Sequence, residues 1–117
     1  MDDLVRAAMA RWPDVPDIFG WLSLTQSGQW RLHPNGNALD TTDTGQYPAG
    51  ESISNAQILG FINRNYTHDD HGRWFFQNGP QRVFVRLDAA PIILHTGEDG
   101  NRLTAHTGDD IARILQW

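Results

Sequence analysis

The chain has 117 residues, 39% hydrophobic and 20% charged, enough apolar content for one core and for a single domain spanning 1–117. It has no cysteine and no lysine, which excludes disulfides, thiolate metal sites, cysteine nucleophiles, Schiff-base chemistry and the Walker-A phosphate clamp. A net charge of −5 argues against broad binding to nucleic acid or anionic membranes, although all nine basic residues are arginine and a local patch is compatible with that total.

The N-terminal stretch MDDLVRAAMARWPD is acidic at its start and lacks a sustained apolar core, so it does not read as a secretory signal. No run approaches membrane-spanning length, and a cytoplasmic location is the expectation. Asp2 or Asp3 caps a helix over 2–11, with Val5, Ala8, Met9 and Trp12 on one face, and Pro13 and Pro16 stop it.

Two alternating runs follow, WLSLT and QWRLH, around Ser27-Gly28. A two-residue loop mixes the faces. A three-residue loop, Gln26-Ser27-Gly28, puts Leu22, Leu24, Trp30 and Leu32 together and gives Gly28 a left-handed position, so the hydrophobic pattern selects it. Arg31 and His33 then lie on the opposite face. Residues 33–51 form a long polar loop without periodicity, of the length expected for a functional lid or a mobile segment, with Tyr47 as its anchor. Its aspartates do not follow the grammar of a calcium loop.

Ser54 and Gln57 make a capping box, with Ile53 against Ile58 as a hydrophobic staple, which predicts a helix over 54–66. The polar run Thr67–Gly72 then leads into the densest aromatic and β-branched stretch, RWFFQNGPQRVFVRL at 73–87, a β-hairpin split at Asn78-Gly79-Pro80. Alternation puts Val83, Val85 and Leu87 on one face and Arg82, Phe84 and Arg86 on the other. A two-residue turn places Trp74 and Phe76 with the valines and sends Arg73 and Phe75 to the arginine face; a three-residue turn places Phe75 inside. The two-residue form is preferred.

A further hairpin is expected from Ile92–Leu94 and Arg102–Ala105, followed by a helix over 109–115 with Ile111, Ile114 and Leu115 inward. The fold class is therefore α+β, an antiparallel sheet of about three hairpins with the three helices mainly on one face.

Over residues 58–87, in ILGFINRNY and HGRWFFQNGPQRVFVRL, the chain resembles a family of short bacterial proteins known only as a domain of unknown function. The resemblance implies a bacterial accessory protein and carries no catalytic residue or cofactor.

Candidate chemistry is sparse. His68, Asp69, Asp70 and His71 form the one dense run of metal-ligand types, suited to zinc, manganese or iron(II), but adjacent side chains diverge and other histidines would have to join. The bland alternative is a solvated loop in which Asp69 or Asp70 makes an Asx turn before Gly72. If Asp99-Gly100 is the turn of their hairpin, His95 and His106 fall on one face in diagonal positions. No G-x-S-x-G elbow is present.

The second face of the central hairpin, Arg73, Phe75, Arg82, Phe84 and Arg86, is the preferred binding surface, because guanidinium and aromatic groups are enriched where proteins meet partners. The expectation is a non-enzymatic binding or accessory module using a protein partner or self-association, with no cofactor. A metal-dependent enzyme at 68–71 is the alternative and a single-stranded nucleic-acid binder the minor one. A covering helix would remove the surface.

Overall fold

The computed structural model describes residues 1–41, 44–96 and 103–108. The fold is α+β. Six strands form one sheet in the order β3-β2-β1-β6-β5-β4: β1 (Ile18–Leu24), β2 (Trp30–Leu32), β3 (Glu51–Ser52), β4 (Tyr66–His68), β5 (Trp74–Asn78) and β6 (Gln81–Leu87). Helices α1 (Asp3–Arg11) and α2 (Ala56–Arg64) accompany it, and β7 (Leu94–Thr96) and β8 (Leu103–Ala105) make a separate two-stranded sheet.

The local registers follow from alternation. Leu22 faces Leu32 and Leu24 faces Trp30 across β1–β2, leaving Gln26, Ser27 and Gly28 as the loop, with Gly28 at φ +84°. In the central hairpin Phe76 faces Val83 and Phe75 faces Phe84, with Gly79-Pro80 as a two-residue turn. Trp74 and Phe76 thus share the valine face.

The sheet is mixed rather than purely antiparallel. β1 runs parallel to β6, with Leu22 opposite Val85 and Leu24 opposite Leu87. These are the two most central strands of the sheet. The connection from β1 to β6 is long enough to carry α2 over one face of the sheet. Strands β3 and β4 take residues expected to be loop and helix end. Tyr66 leaves the helix because Asn65 ends it: its N–H reaches the carbonyls of Phe61 and Ile62, and its side-chain amide donates to the Phe61 carbonyl.

At the other end of α2 the cap is Asn55, one residue later than the Ser54 box. Its Oδ1 accepts from the amides of Gln57 at 2.9 Å and Ile58 at 3.1 Å. Asn and Ser are equivalent caps, so the side chain that reaches two amides wins. The staple goes with it, and Ile58 is left largely exposed. Helix α1 matches 2–11 within a residue, and the helix expected at 109–115 lies outside the described residues, as does the tip of the β7–β8 hairpin.

The core lies on the α2 face, where Leu22, Leu24, Trp30, Ile62 and Val83 are buried together. Tyr66 borders it, donating its hydroxyl to the Pro91 carbonyl at 2.7 Å, and burial pushes its phenol well above the ordinary tyrosine range. The amide of His106 donates to the Ile93 carbonyl, and the His106 ring lies edge-on to Trp30, so the second sheet docks on this core.

One glycine is required by the sheet itself. Gly20 sits at φ +89° inside β1, where the register against β6 shifts between Ile18 and Leu22, and a Cβ there would run into the Gly36 carbonyl. Gly20→Ala should cost about 2–3 kcal/mol from strain and steric overlap together. A denaturant midpoint unchanged from wild type would contradict the bulge.

Candidate functional site

The arginine–aromatic face forms as alternation requires, but the chain itself closes it. Phe75 is 3% exposed and Phe84 6%. Phe19 stacks on Phe84 with centroids 4.8 Å apart and planes 7° from parallel. The Arg73 guanidinium lies 4.9 Å from the Phe84 ring, and Arg82 lies 4.6 Å from Phe75. The two rings are spent on internal packing, with guanidinium groups laid over them.

Arg86 is held more tightly still. Its side chain is nearly buried; Nη1 donates to the carbonyls of Ala38 at 2.7 Å and Pro48 at 2.9 Å, while Nε pairs with Asp88 at 2.9 Å. Its guanidinium also lies 5.3 Å from the Tyr47 ring. From β2, Arg31 donates Nε to the Ala49 carbonyl, Nη2 to that of Gly50 and Nη1 to the Ser52 hydroxyl. Carbonyls of a polar connection need donors once they leave water, and the two arginines supply them. The 33–51 loop is therefore strapped to the sheet at Ala38, Pro48, Ala49 and Gly50, and these fastenings and Phe19 lie on the arginine–aromatic face.

Beneath the strap is a pair that went unnoticed in the sequence. His33 is 1% exposed, and its Nε2 sits 2.8 Å from the Ser23 hydroxyl. Burial, the Arg86 charge and then Arg31 hold its pKa below the usual histidine value, against the pull of Asp88. The signal was available: the three-residue loop already puts both residues on one face. A Ser–His pair sealed from solvent has no access for a substrate.

The His/Asp run divides between a strand and a turn. His68 ends β4, and its Nδ1 lies 3.0 Å from the Asp69 carbonyl. The Asp69 carboxylate accepts from the amides of His71 and Arg73 and pairs with Arg73 Nε at 2.7 Å, an Asx turn closed by Gly72. Burial would raise its pKa, but those hydrogen bonds from Arg73 and His71 prevail and hold it below the ordinary carboxylate range. Asp70 and His71 are exposed. Among the described residues no group of three His, Asp or Glu side chains converges to hold a metal ion.

The surface left open is elsewhere. Between α2 and the β3–β2–β1 side of the sheet runs a groove of about 750 Å³. Its walls include Trp21, Leu22, Leu32, Ile58, Phe61 and Phe76. Trp21 is 40% exposed, Leu32 41% and Ile58 50%, so three large apolar side chains in one concavity face water. Glu51, Ser52, Asn55 and Gln57 stand among the polar lining residues, and Glu51 is the one charged group of the lining among the described residues. Such a volume, apolar wall and small polar complement suit a small-molecule site.

No helix among the described residues is long and apolar enough to cross a membrane. No curated protein matches the sequence. A solved structure of a DUF1285 family protein from Silicibacter pomeroyi DSS-3 is similar at 16% identity and a TM-score of 0.49, over 94% of this chain. The chain spans 60% of that protein's length. Over residues 1–117 it matches the family DUF2944, described as a protein of unknown function (DUF2946). The chain belongs to that family, in keeping with the resemblance noted over residues 58–87.

Proposed function

We propose that the chain is a binding module whose site is the groove between α2 and the sheet, and that its ligand is an uncharged apolar small molecule. One observation carries the reading: Trp21, Leu32 and Ile58 are exposed together in one concavity, whereas Phe75 and Phe84 are covered. Large apolar side chains gathered in a concavity mark a binding site more often than the same residues scattered over a surface. Charge narrows the ligand. Among the described residues Glu51 is the sole ionic group in the lining, so there an anion would meet repulsion and no cation. Neither the arginine face nor the 68–71 run competes, since the groups of the first and the Asp69 carboxylate of the second are engaged within the chain.

The test is fluorescence titration with the neutral probe N-phenyl-1-naphthylamine. Wild type should bind it, and Ile58→Glu should weaken binding about ten-fold or more through lost apolar contact and a buried charge. Ile58 is half exposed, so the variant should keep its fold. Absence of probe binding, or equal binding by the variant, would remove the groove as the site.

A further inference from the structure

We infer that the connection between β2 and β3 is an acid-sensitive strap: a proton taken up by His33 lifts Gly50 and loosens β3, which forms one wall of the groove. The effect on ligand rests on the groove being the binding site; the movement of the strap does not.

The geometry supports this from three sides. First, His33 is sealed beneath Gly50. With Gly50 at φ +74°, a Cβ there would stand 2.7 Å from His33 Cε1 and 2.8 Å from Nε2, so the glycine backbone lies directly on the ring. Second, among the described residues the ring has one hydrogen-bond partner, the Ser23 hydroxyl on Nε2, and its Nδ1 has none. A neutral ring with its proton on Nε2, donating to Ser23, tolerates that; a cation would carry a buried Nδ1–H with no acceptor among the described residues. Third, the charged groups that act on it are mostly of the wrong sign. Arg31 faces it from β2 and Arg86 from β6, while Asp88, beyond β6, is already paired with Arg86. Ser23, from β1, is neutral.

Protonation thus sets a third cation beside two, in a place closed to water, and relief comes from admitting water. The easiest opening is at Gly50, whose carbonyl, among the described residues, accepts one guanidinium hydrogen bond of 3.1 Å from Arg31, beside the 2.8 Å bond to Ala49. Gly50 is followed directly by Glu51, and β3 pairs with β2 as Ser52 with Arg31 and Glu51 with Leu32, the Ile53 amide donating to the Trp30 carbonyl just beyond. Glu51, Ser52 and Ile53 line the groove, so loosening the strap disturbs that wall.

The sign follows from linkage. The folded-state pKa of His33 lies below the unfolded value near 6.5, so the folded state favours the neutral ring. Its contribution is complete above about pH 6.5 and is lost as the pH falls through the lower folded value.

The experiment is a pH titration from about 7.5 to 4.5, read by amide and histidine-ring NMR and by N-phenyl-1-naphthylamine affinity, on wild type and His33→Gln. Glutamine keeps a donor for Ser23 and cannot titrate. In wild type the amides of Ala49, Gly50 and Ser52 should shift with the His33 ring, and affinity should fall about ten-fold per pH unit below its pKa while far-UV circular dichroism stays constant. In His33→Gln both responses should vanish. Amides that stay still while the His33 ring titrates in wild type, or an unchanged pH response in the variant, would overturn the strap. If the probe fails to bind at neutral pH the groove is at fault, and the Ala49 and Gly50 amides of wild type still decide the strap, as they do if the variant does not fold.

Discussion

Trp30→Ala is expected to lose about 4 kcal/mol of stability, the largest loss of any single substitution considered. Trp30 is buried at the meeting point of both sheets. Its ring stands edge-on to Tyr66 at 4.9 Å and to His106 at 5.6 Å, it faces Leu24 across the strand pair, and its indole N–H donates to Asn63 Oδ1 at 2.7 Å. Alanine removes the ring, leaves a cavity between the six-stranded sheet and β7–β8, and strands the Asn63 acceptor. Trp30→Phe should recover more than half, since it restores most of the volume and only the hydrogen bond stays lost. Urea denaturation gives both values; a loss below about 1 kcal/mol for the alanine variant would mean the second sheet is not docked on this ring.

Arg86→Ala should cost about 3 kcal/mol and act on a different region. The guanidinium joins Ala38, Pro48 and Asp88 from a nearly buried position, and its loss leaves two strap carbonyls and one carboxylate to find water. Lysine should not rescue it, because an ammonium cannot reproduce a planar fork that reaches three partners at once. The local signature is faster amide hydrogen exchange at Ala38, Tyr47, Ala49 and Gly50, with β5 and β6 far less affected. Uniform acceleration over the whole sheet, or none in the strap, would contradict the fastening role.

These two residues mark what was legible in the sequence and what was not. Alternation sorted Trp30 to the core and Arg86 away from it, and with a two-residue turn it set Phe75 on the same face as Phe84, because side-chain period and turn length are local properties. What engages Arg86 was hidden, because its acceptors include carbonyls of a stretch with no periodicity, and a carbonyl carries no residue signature. The same holds for topology: β1 meets β6 across some sixty residues, and no spacing in either strand announces a parallel neighbour. Strands β3 and β4, of two and three residues, are too short to show a period.

The helix boundary at Asn55 missed by one residue for a simpler reason. Ser54 and Asn55 are both good caps, and tertiary placement chose between them. The groove had no sequence signature because its walls come from β1, β2, β3, β5, β6 and α2, although an isoleucine left outside the core at position 58 was a hint once the staple was lost.

The most direct measurement is amide chemical-shift mapping of uniformly ¹⁵N-labelled protein titrated with N-phenyl-1-naphthylamine at neutral pH. Shifts concentrated at Leu32, Ser52, Ile58 and Phe76 are expected. Shifts concentrated at Arg73, Arg82 and Phe84 would instead return the binding surface to the arginine–aromatic face and contradict the groove.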